Sequence, residues 1–497
     1  MLAIVTLFIV LFSIGCFWYK RKFSYWRRHG VKEWASNSVF GNFGGVIAMK
    51  ANEGDVADEC YKKLGDVKFG GYYFLWKPLL MVKDAELIKN ITVKDFEHFT
   101  DHSIFLDTTK DTDTVLHSLF FMKSEEWKKR RSVMTHLFTP KRLKYMHTMS
   151  EPIVDSFLLN LDRFAKDDLD IDMDPTLTEL TMNVITKTFI GIDVKDQSAF
   201  LKASHMLAYP DVPSLLKSFL FTLHPGIHKA LGLTTLNKGI YELFSELVKR
   251  VVKLRKEQNI VSNDLFDFLI KCQNGEIKNY EDISMGEMIG HTFAFFFAGH
   301  DTTALTGALA VFELSRNPDV QERLRSEIKK AIEKTKDGLS YETLSAIPYM
   351  TYVIQEVTRM YPVLGVIKRV CTKPYTIGDF RVPVGMDVIL PVRSLHYDPR
   401  YFEDPHSFRP ERFAEGKTPE VFMPFGKGPR ICIGMRFAEG ELKHLISRMV
   451  LDYDILASRK NQLPFKFDRT LAVTIRPVGG IWVKLKARTD NYKSMYP

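Results

Sequence analysis

The chain has 497 residues, 45% hydrophobic and 26% charged, which are globular proportions that exclude a disordered or collagen-like chain and a multi-span membrane protein. Lys and Arg number 69 against 60 Asp and Glu, a net charge of +9 that suits an anionic membrane surface or an acidic protein partner. The basic residues are scattered through amphipathic segments instead of gathering in an aromatic-interleaved stripe, so nucleic acid is set aside as a partner. Five isolated cysteines, Cys16, Cys60, Cys272, Cys371 and Cys432, form no CxxC pair. That argues against a zinc knuckle or a secreted disulfide framework and for a reducing compartment.

The first predicted element is an apolar run from Leu2 to Tyr19, broken only by Thr6, Ser13 and Gly15 and closed by Lys20, Arg21 and Lys22. At about 1.5 Å per residue it just spans a bilayer core. No basic residue precedes it and no small-x-small site ends it, so it reads as an uncleaved anchor and not as a signal peptide. The basic cluster then places the rest of the chain in the cytosol. Residues 66–83 read as a β hairpin. From about 115 to 335 the pattern is mostly helical, with Trp127, Arg131, Met134 and Leu137 at helical spacing.

Ser284 to Arg316 is apolar nearly all round and stops at Asn317-Pro318. Glu287, His291, His300 and Asp301 inside it would be expensive at bilayer depth, so a helix buried through a folded domain is expected instead of a second span. Strands follow at 375–392, and a last hairpin is expected near 470–485, turning through Pro477 to Gly480. The fold class is mainly α with minor β.

Near the C-terminus, Phe425, Gly426, Gly428, Arg430, Cys432 and Gly434 lead into a helix carrying Leu442, Leu445 and Met449 on one face. The glycines permit a tight loop whose backbone approaches a flat ligand closely. Cys432, just before a helix start, sits where dipole and free N–H groups lower a thiol pKa, which makes a soft metal ligand. The bland alternative is a buried cysteine packing as a small hydrophobe.

Phe425-x-x-Gly428-x-Arg430-x-Cys432-x-Gly434 resembles the haem-binding signature of the cytochrome P-450 family, and further motifs follow the family's order along the chain. The resemblance implies the P-450 fold, a large helical domain with a small β-rich region, and heme b with an axial thiolate from Cys432. Ala298-Gly299-His300-Asp301-Thr302-Thr303 resembles the oxygen-activation motif, with a kinked turn, Asp301 feeding a proton relay and Thr302 holding dioxygen. Glu356-Val357-Thr358-Arg359 resembles the family's ExxR, with Arg412 completing a structural network. Trp127, Arg131, Arg369 and Arg430 are the implied propionate donors, with Phe425 and Gly434 shaping the cofactor loop.

Two departures stand out. Microsomal relatives carry a proline-rich hinge after the anchor, yet no proline occurs here before Pro78; and His102 stands where relatives often have Arg. The resemblance implies an anchor at 1–20, a linking segment at 21–60 and one catalytic domain at 61–497. It also implies an endoplasmic reticulum location facing the cytosol, with electrons from NADPH-cytochrome P-450 reductase and cytochrome b5. Residues 205–227 would be a loop region dipping into the bilayer, Ser103 to Phe121 would line the substrate pocket, and Lys427, Arg436 and Lys443 would form a basic face for an acidic electron donor. The substrate would be a lipophilic small molecule, as in the xenobiotic-metabolising branch that includes insect enzymes. A haem-thiolate isomerase and a non-catalytic tethered haem protein are the competing readings; the Asp301-Thr302 pair argues against the first.

Overall fold

The computed structural model describes all residues except 1, 37, 104–116, 194–196, 210–212, 214–237, 279, 281–282, 417, 470–473, 491 and 493–497. Along the chain the principal elements are α1 (Leu2–Lys22), α2 (Glu53–Leu64), β1 (Phe69–Phe74), β2 (Lys77–Val82), α3 (Ser124–Met134), α4 (Pro140–Lys166), β3 (Asp170–Asp172), α5 (Met173–Val184), α6 (Met285–Arg316), α7 (Pro348–Met360), β4 (Ile367–Val370), β5 (Tyr375–Ile377), β6 (Phe380–Val382), β7 (Asp387–Leu390), α8 (Met435–Asp452), β8 (Tyr453–Ala457) and β9 (Trp482–Ala487). The chain is mainly helical with minor β structure, as its pattern predicts. It folds as two compact units interleaved in sequence: Met1–Ile104 with Leu364–Pro405 and Pro419–Ile431, and Phe105–Val363 with His406–Thr418 and Cys432–Pro497.

In the first unit, α1 is apolar throughout and ends in Lys20, Arg21 and Lys22. Its Ile4–Lys22 stretch is long and apolar enough to cross a membrane, by length and composition. A four-stranded sheet has the order β1-β2-β7-β4. β1 and β2 form the expected antiparallel hairpin with Phe69 opposite Val82, while β2 runs parallel to β7 through Leu79 and Asp387. Helix α2, held at its start by a reciprocal Asn52–Asp55 capping box, buries Val56, Cys60 and Leu64 against Tyr72, Leu79 and Ile389 of that sheet. Trp26 is fully buried, its indole N–H donating to Tyr72 O at 3.1 Å. Its ring lies so close to Gly71 that a Cβ there would fall 2.2 Å from it, so only glycine fits. β5 and β6 make a separate two-stranded ribbon.

The second unit is built around α6. Ser284 and Glu287 form a reciprocal capping box at its start, and it ends at Asn317 ahead of Pro318, the limits its sequence predicts. Leu177 of α5 and Leu445 of α8 come within van der Waals reach of a Cβ built on Gly307, so the glycine lets both helices pack closely. β3, β9 and β8 form an antiparallel sheet.

Helix α6 runs without a break through Ala298–Thr303, where the Thr302 and Thr303 hydroxyls bond back to the Ala298 and Gly299 carbonyls at 2.7 and 2.9 Å, the contact expected there. Two readings need correction. Strand β4 was not foreseen, because Lys368 and Arg369 mask its pattern. The last strand, β9, pairs with β8 and β3 and not within a local hairpin. Residues 470–473 of that hairpin, 104–116 of the expected pocket lining and most of 210–227 of the expected bilayer loop lie outside the described residues.

Candidate active site

The second unit carries Cys432, Gly434, Trp127, Arg131, Asp301 and Thr302. Gly434 caps α8, and Cys432 lies two residues before it. The amides of Gly434 and Met435 and the charge of Arg131 pull the Cys432 thiol pKa down, as a helix start predicts. Burial outweighs them, so the net shift is upward and not the expected lowering. The residue as a whole is nevertheless exposed, which sets it apart from the buried Cys60, Cys272 and Cys371. Arg131 of α3 is the cation that acts on the thiol among the described residues, and burial lowers its own pKa. Trp127, one turn earlier on α3, is buried.

Along α6, Ala294, Ala298 and Thr302 remain accessible although Phe293, Phe296, Phe297 and Thr303 are buried. Their i, i+4, i+8 spacing puts them on one face of the helix. Small and hydroxylated residues on that face leave room for a ligand against the helix. Asp301, beside it, is ion-paired to Arg476, which also holds Asp174 of α5. Thr474 Oγ1 donates to Asp301 Oδ2 at 3.2 Å. His300 is wholly buried: its Nδ1 donates to Phe296 O at 2.8 Å and its Nε2 meets Ser204 Oγ at 2.8 Å. Arg476 escaped sequence reasoning because no motif marks it and its partners lie far away along the chain.

The expected ExxR network is present. Arg359 donates from Nε and Nη2 to the two carboxylate oxygens of Glu356 at 2.7 and 2.9 Å, and Arg412 Nε donates to Oε1 at 2.9 Å. The Arg409 backbone N–H also donates to Oε1 at 2.9 Å. Glu356 and Arg359 are completely buried, which makes this a brace for the 406–418 segment.

The first unit carries Arg369, Phe425 and Arg430. Arg369 of β4 is 2% exposed, and its Nε has no hydrogen-bond partner among the described residues. Burial alone lowers its pKa to about 10. Arg430 Nε donates to Thr100 O at 2.8 Å, and its guanidinium lies 3.8 Å from Asp101. Phe425 and His102 are half-buried. Gly428 has φ +72°, and a Cβ on it would lie 1.7 Å from Thr92 O, so the loop tolerates only glycine there. Of the three expected basic-face residues, Arg436 is exposed and Lys427 pairs with Glu420, but Lys443 is 8% exposed beside Glu439 and does not belong to a solvent-facing patch.

Comparison with known proteins agrees with these motifs. The Cytochrome P450 family profile matches residues 32–483. The chain is 29% identical over 498 residues to "Probable cytochrome P450 6a18" of Drosophila melanogaster, covering 96% of this chain and 98% of that protein. It is 31% identical over 513 residues to "Probable cytochrome P450 9f2" of the same species, covering 97% and 99%. "Cytochrome P450 6j1" of Blattella germanica is 27% identical over 494 residues, covering 97% and 98%. The chain therefore belongs to the cytochrome P450 family. It is a monooxygenase, an oxidoreductase whose cofactor is haem-thiolate iron and which works with a redox partner on a small-molecule substrate. Cys432 fits that cofactor: an exposed cysteine at a helix start, its thiol facing the Gly434 and Met435 amides and the Arg131 charge, supplies a soft ligand.

Proposed function

We propose that this chain is a membrane-anchored monooxygenase that oxygenates lipophilic small molecules of xenobiotic type, such as plant toxins or insecticides, or endogenous lipids and hormones. Electrons come from NADPH through cytochrome P450 reductase, with cytochrome b5 as a second donor. The anchor is 1–20, the linking segment 21–60 and the catalytic domain 61–497, held on the cytosolic face of the endoplasmic reticulum. The observation that carries the reading is Cys432 at the start of α8, its thiol flanked by amide N–H groups and Arg131.

Cys432 would hold the iron, and Trp127, Arg131, Arg369 and Arg430 would hold the haem carboxylates, while Gly434 and Phe425 shape the loop. When bound, the haem supplies the electron transfer and dioxygen cleavage that no amino-acid side chain provides. The chain's own groups do the rest. The Thr302 hydroxyl spends its proton on Ala298 O, which leaves its oxygen free to accept a hydrogen bond. Asp301 is the nearby proton carrier, and its carboxylate must loosen from Arg476 to swing toward Thr302. Ala294 and Ala298 give substrate an apolar surface with no competing polar group.

The test is the carbon monoxide difference spectrum of the dithionite-reduced protein. A Soret band shifted far to the red, lost in Cys432→Ala, is expected, followed by NADPH- and reductase-dependent turnover. A band at the imidazole-ligated position would overturn the assignment of Cys432.

A further inference from the structure

One turn before Ala294, α6 carries a histidine that none of the haem-related motifs includes. His291 is 0% exposed, and both of its ring nitrogens are engaged. The Leu119 backbone N–H donates to its Nδ1 at 3.3 Å, and its Nε2 lies 2.8 Å from the Tyr280 hydroxyl. A backbone N–H can only donate, so Nδ1 is the bare acceptor and the proton of the neutral ring sits on Nε2, directed at the Tyr280 oxygen. Burial holds the ring in that neutral form, its pKa pushed down to about 3, and the charges of Arg130 and His117 act in the same sense.

Tyr280 is itself fixed. The Arg130 guanidinium of α3 lies 4.2 Å from the centre of its ring, and the same arginine pairs with Glu287 of α6 at 2.9 Å. Glu287 in turn closes the capping box at the start of α6. His291 therefore stands on a base built from α3 and the first turns of α6, and on its other side it holds a loop. In residues 118–122 the Phe121 and Met122 N–H groups both donate to Ser118 O, at 2.9 and 3.1 Å, which folds them into one turn. Leu119 and Met122 are buried there, while Phe120 is 51% exposed, an accessible apolar ring.

Three residues advance a helix by about 300° and about 4.5 Å, so His291 and Ala294 are neighbours on the surface of α6. The Leu119 contact thus meets the N-terminal end of the face that carries Ala294, Ala298 and Thr302. We infer that His291 is a positioning residue for substrate: by accepting the Leu119 N–H it seats the 118–122 turn at the end of that face, and so limits the length of apolar substrate the face takes. Without the acceptor the Leu119 N–H would be left buried and unpaired, a cost the turn escapes by moving out to water. The inference rests on the reading of that face as the surface given to substrate.

The test uses the holoenzyme and 1-alkylimidazoles graded from methyl to dodecyl. Their ring nitrogen binds the haem iron and shifts the Soret band, so chain length reports the room along α6. Hydrogen exchange of a peptic peptide covering 117–122, read by mass spectrometry, reports the Leu119 bond itself. His291→Phe removes the acceptor and keeps the bulk, whereas His291→Asn sets a carbonyl oxygen close to the place of Nδ1. In His291→Phe the dodecyl-to-methyl affinity ratio is expected to rise several-fold and exchange at 117–122 to quicken several-fold, and His291→Asn should bring both back toward wild type. A ratio unchanged in His291→Phe, or shifted equally in both variants, would overturn the inference. Exchange at 117–122 in the wild type as fast as in an unstructured peptide of that sequence would overturn it with no variant at all, so the conclusion does not hang on His291→Phe folding well. A wild-type Soret band that no 1-alkylimidazole moves would remove the reading of the face, and the inference with it.

Discussion

Among the described residues Arg476 is the cation that pairs with both Asp301 and Asp174, and all three side chains are at most one-fifth exposed. Replacing it by glutamine leaves two carboxylates facing each other with no counter-charge, a change that costs about 3 kcal/mol when one partner of a largely buried ion pair is removed. Arg476→Gln is therefore expected to lower the urea midpoint at pH 7, and the deficit should shrink near pH 4 as Asp174, whose pKa burial raises, takes up its proton. A deficit that is the same at both pH values would mean the loss is one of packing and not of charge. The loop residues around Cys432 were legible because chemistry dictates their types at fixed offsets. Arg476 was not, since its role depends on tertiary neighbours from α5 and α6. The thiol itself shows the limit of local reasoning: a helix start predicts a lowered pKa, and burial, which no local pattern reports, reverses the sign.

Helix α8 holds a second buried charge problem. Both carboxylate oxygens of Glu441 lack a hydrogen-bond partner among the described residues, and burial raises its pKa well above the usual carboxylate range. It adjoins a cavity of about 20 Å3 lined by Met146, His147, Ser150 and Tyr341, space of the order of one water. Below the ordinary carboxylate pKa both folded and unfolded chains hold the proton. Above it only the folded chain does, so stability falls as pH rises. Glu441→Gln is expected to raise the melting temperature at pH 8 and to leave it nearly unchanged at pH 4, which differential scanning fluorimetry would read. At this scale α6 was almost wholly legible, because its capping box and its Asn317-Pro318 stop are local signals. β4 was not, because a charged dipeptide becomes a strand only where β7 is there to pair with it.

Over the whole molecule, four histidines, His147, His291, His300 and His444, are buried with pKa values lowered chiefly by desolvation, His291 to about 3. The unfolded chain protonates its histidines below about pH 6.5 while these four resist, so stability is lost as pH falls from there, by up to about 1.4 kcal/mol per histidine for each pH unit. The urea midpoint is expected to drop between pH 7.5 and pH 5.5, and a flat profile would contradict the buried neutral state. The N-terminus sets a second expectation. Removing residues 2–19 leaves the Trp26 seat against Gly71 and Tyr72 intact and should yield a folded protein. Extending the cut through Val31 empties that seat, at a cost of about 3–5 kcal/mol for a buried tryptophan, and should yield aggregates on size-exclusion chromatography. The interleaving of the two units was illegible in the sequence, since no composition shift or linker marks a boundary.

That interleaving has a consequence for synthesis. The first unit is not complete until Ile431 has left the ribosome, whereas α1 emerges at the very start. At ordinary translation rates the interval is on the order of tens of seconds. Until Leu390 emerges, which is most of that interval, the nascent β1–β2 hairpin lacks β7, the partner that satisfies the outer edge of β2. An unpaired apolar edge is a standing invitation to wrong pairing with a neighbouring chain on the same polysome. Chaperone shielding of residues 77–82 during translation should therefore govern yield more than the stability of the finished enzyme does.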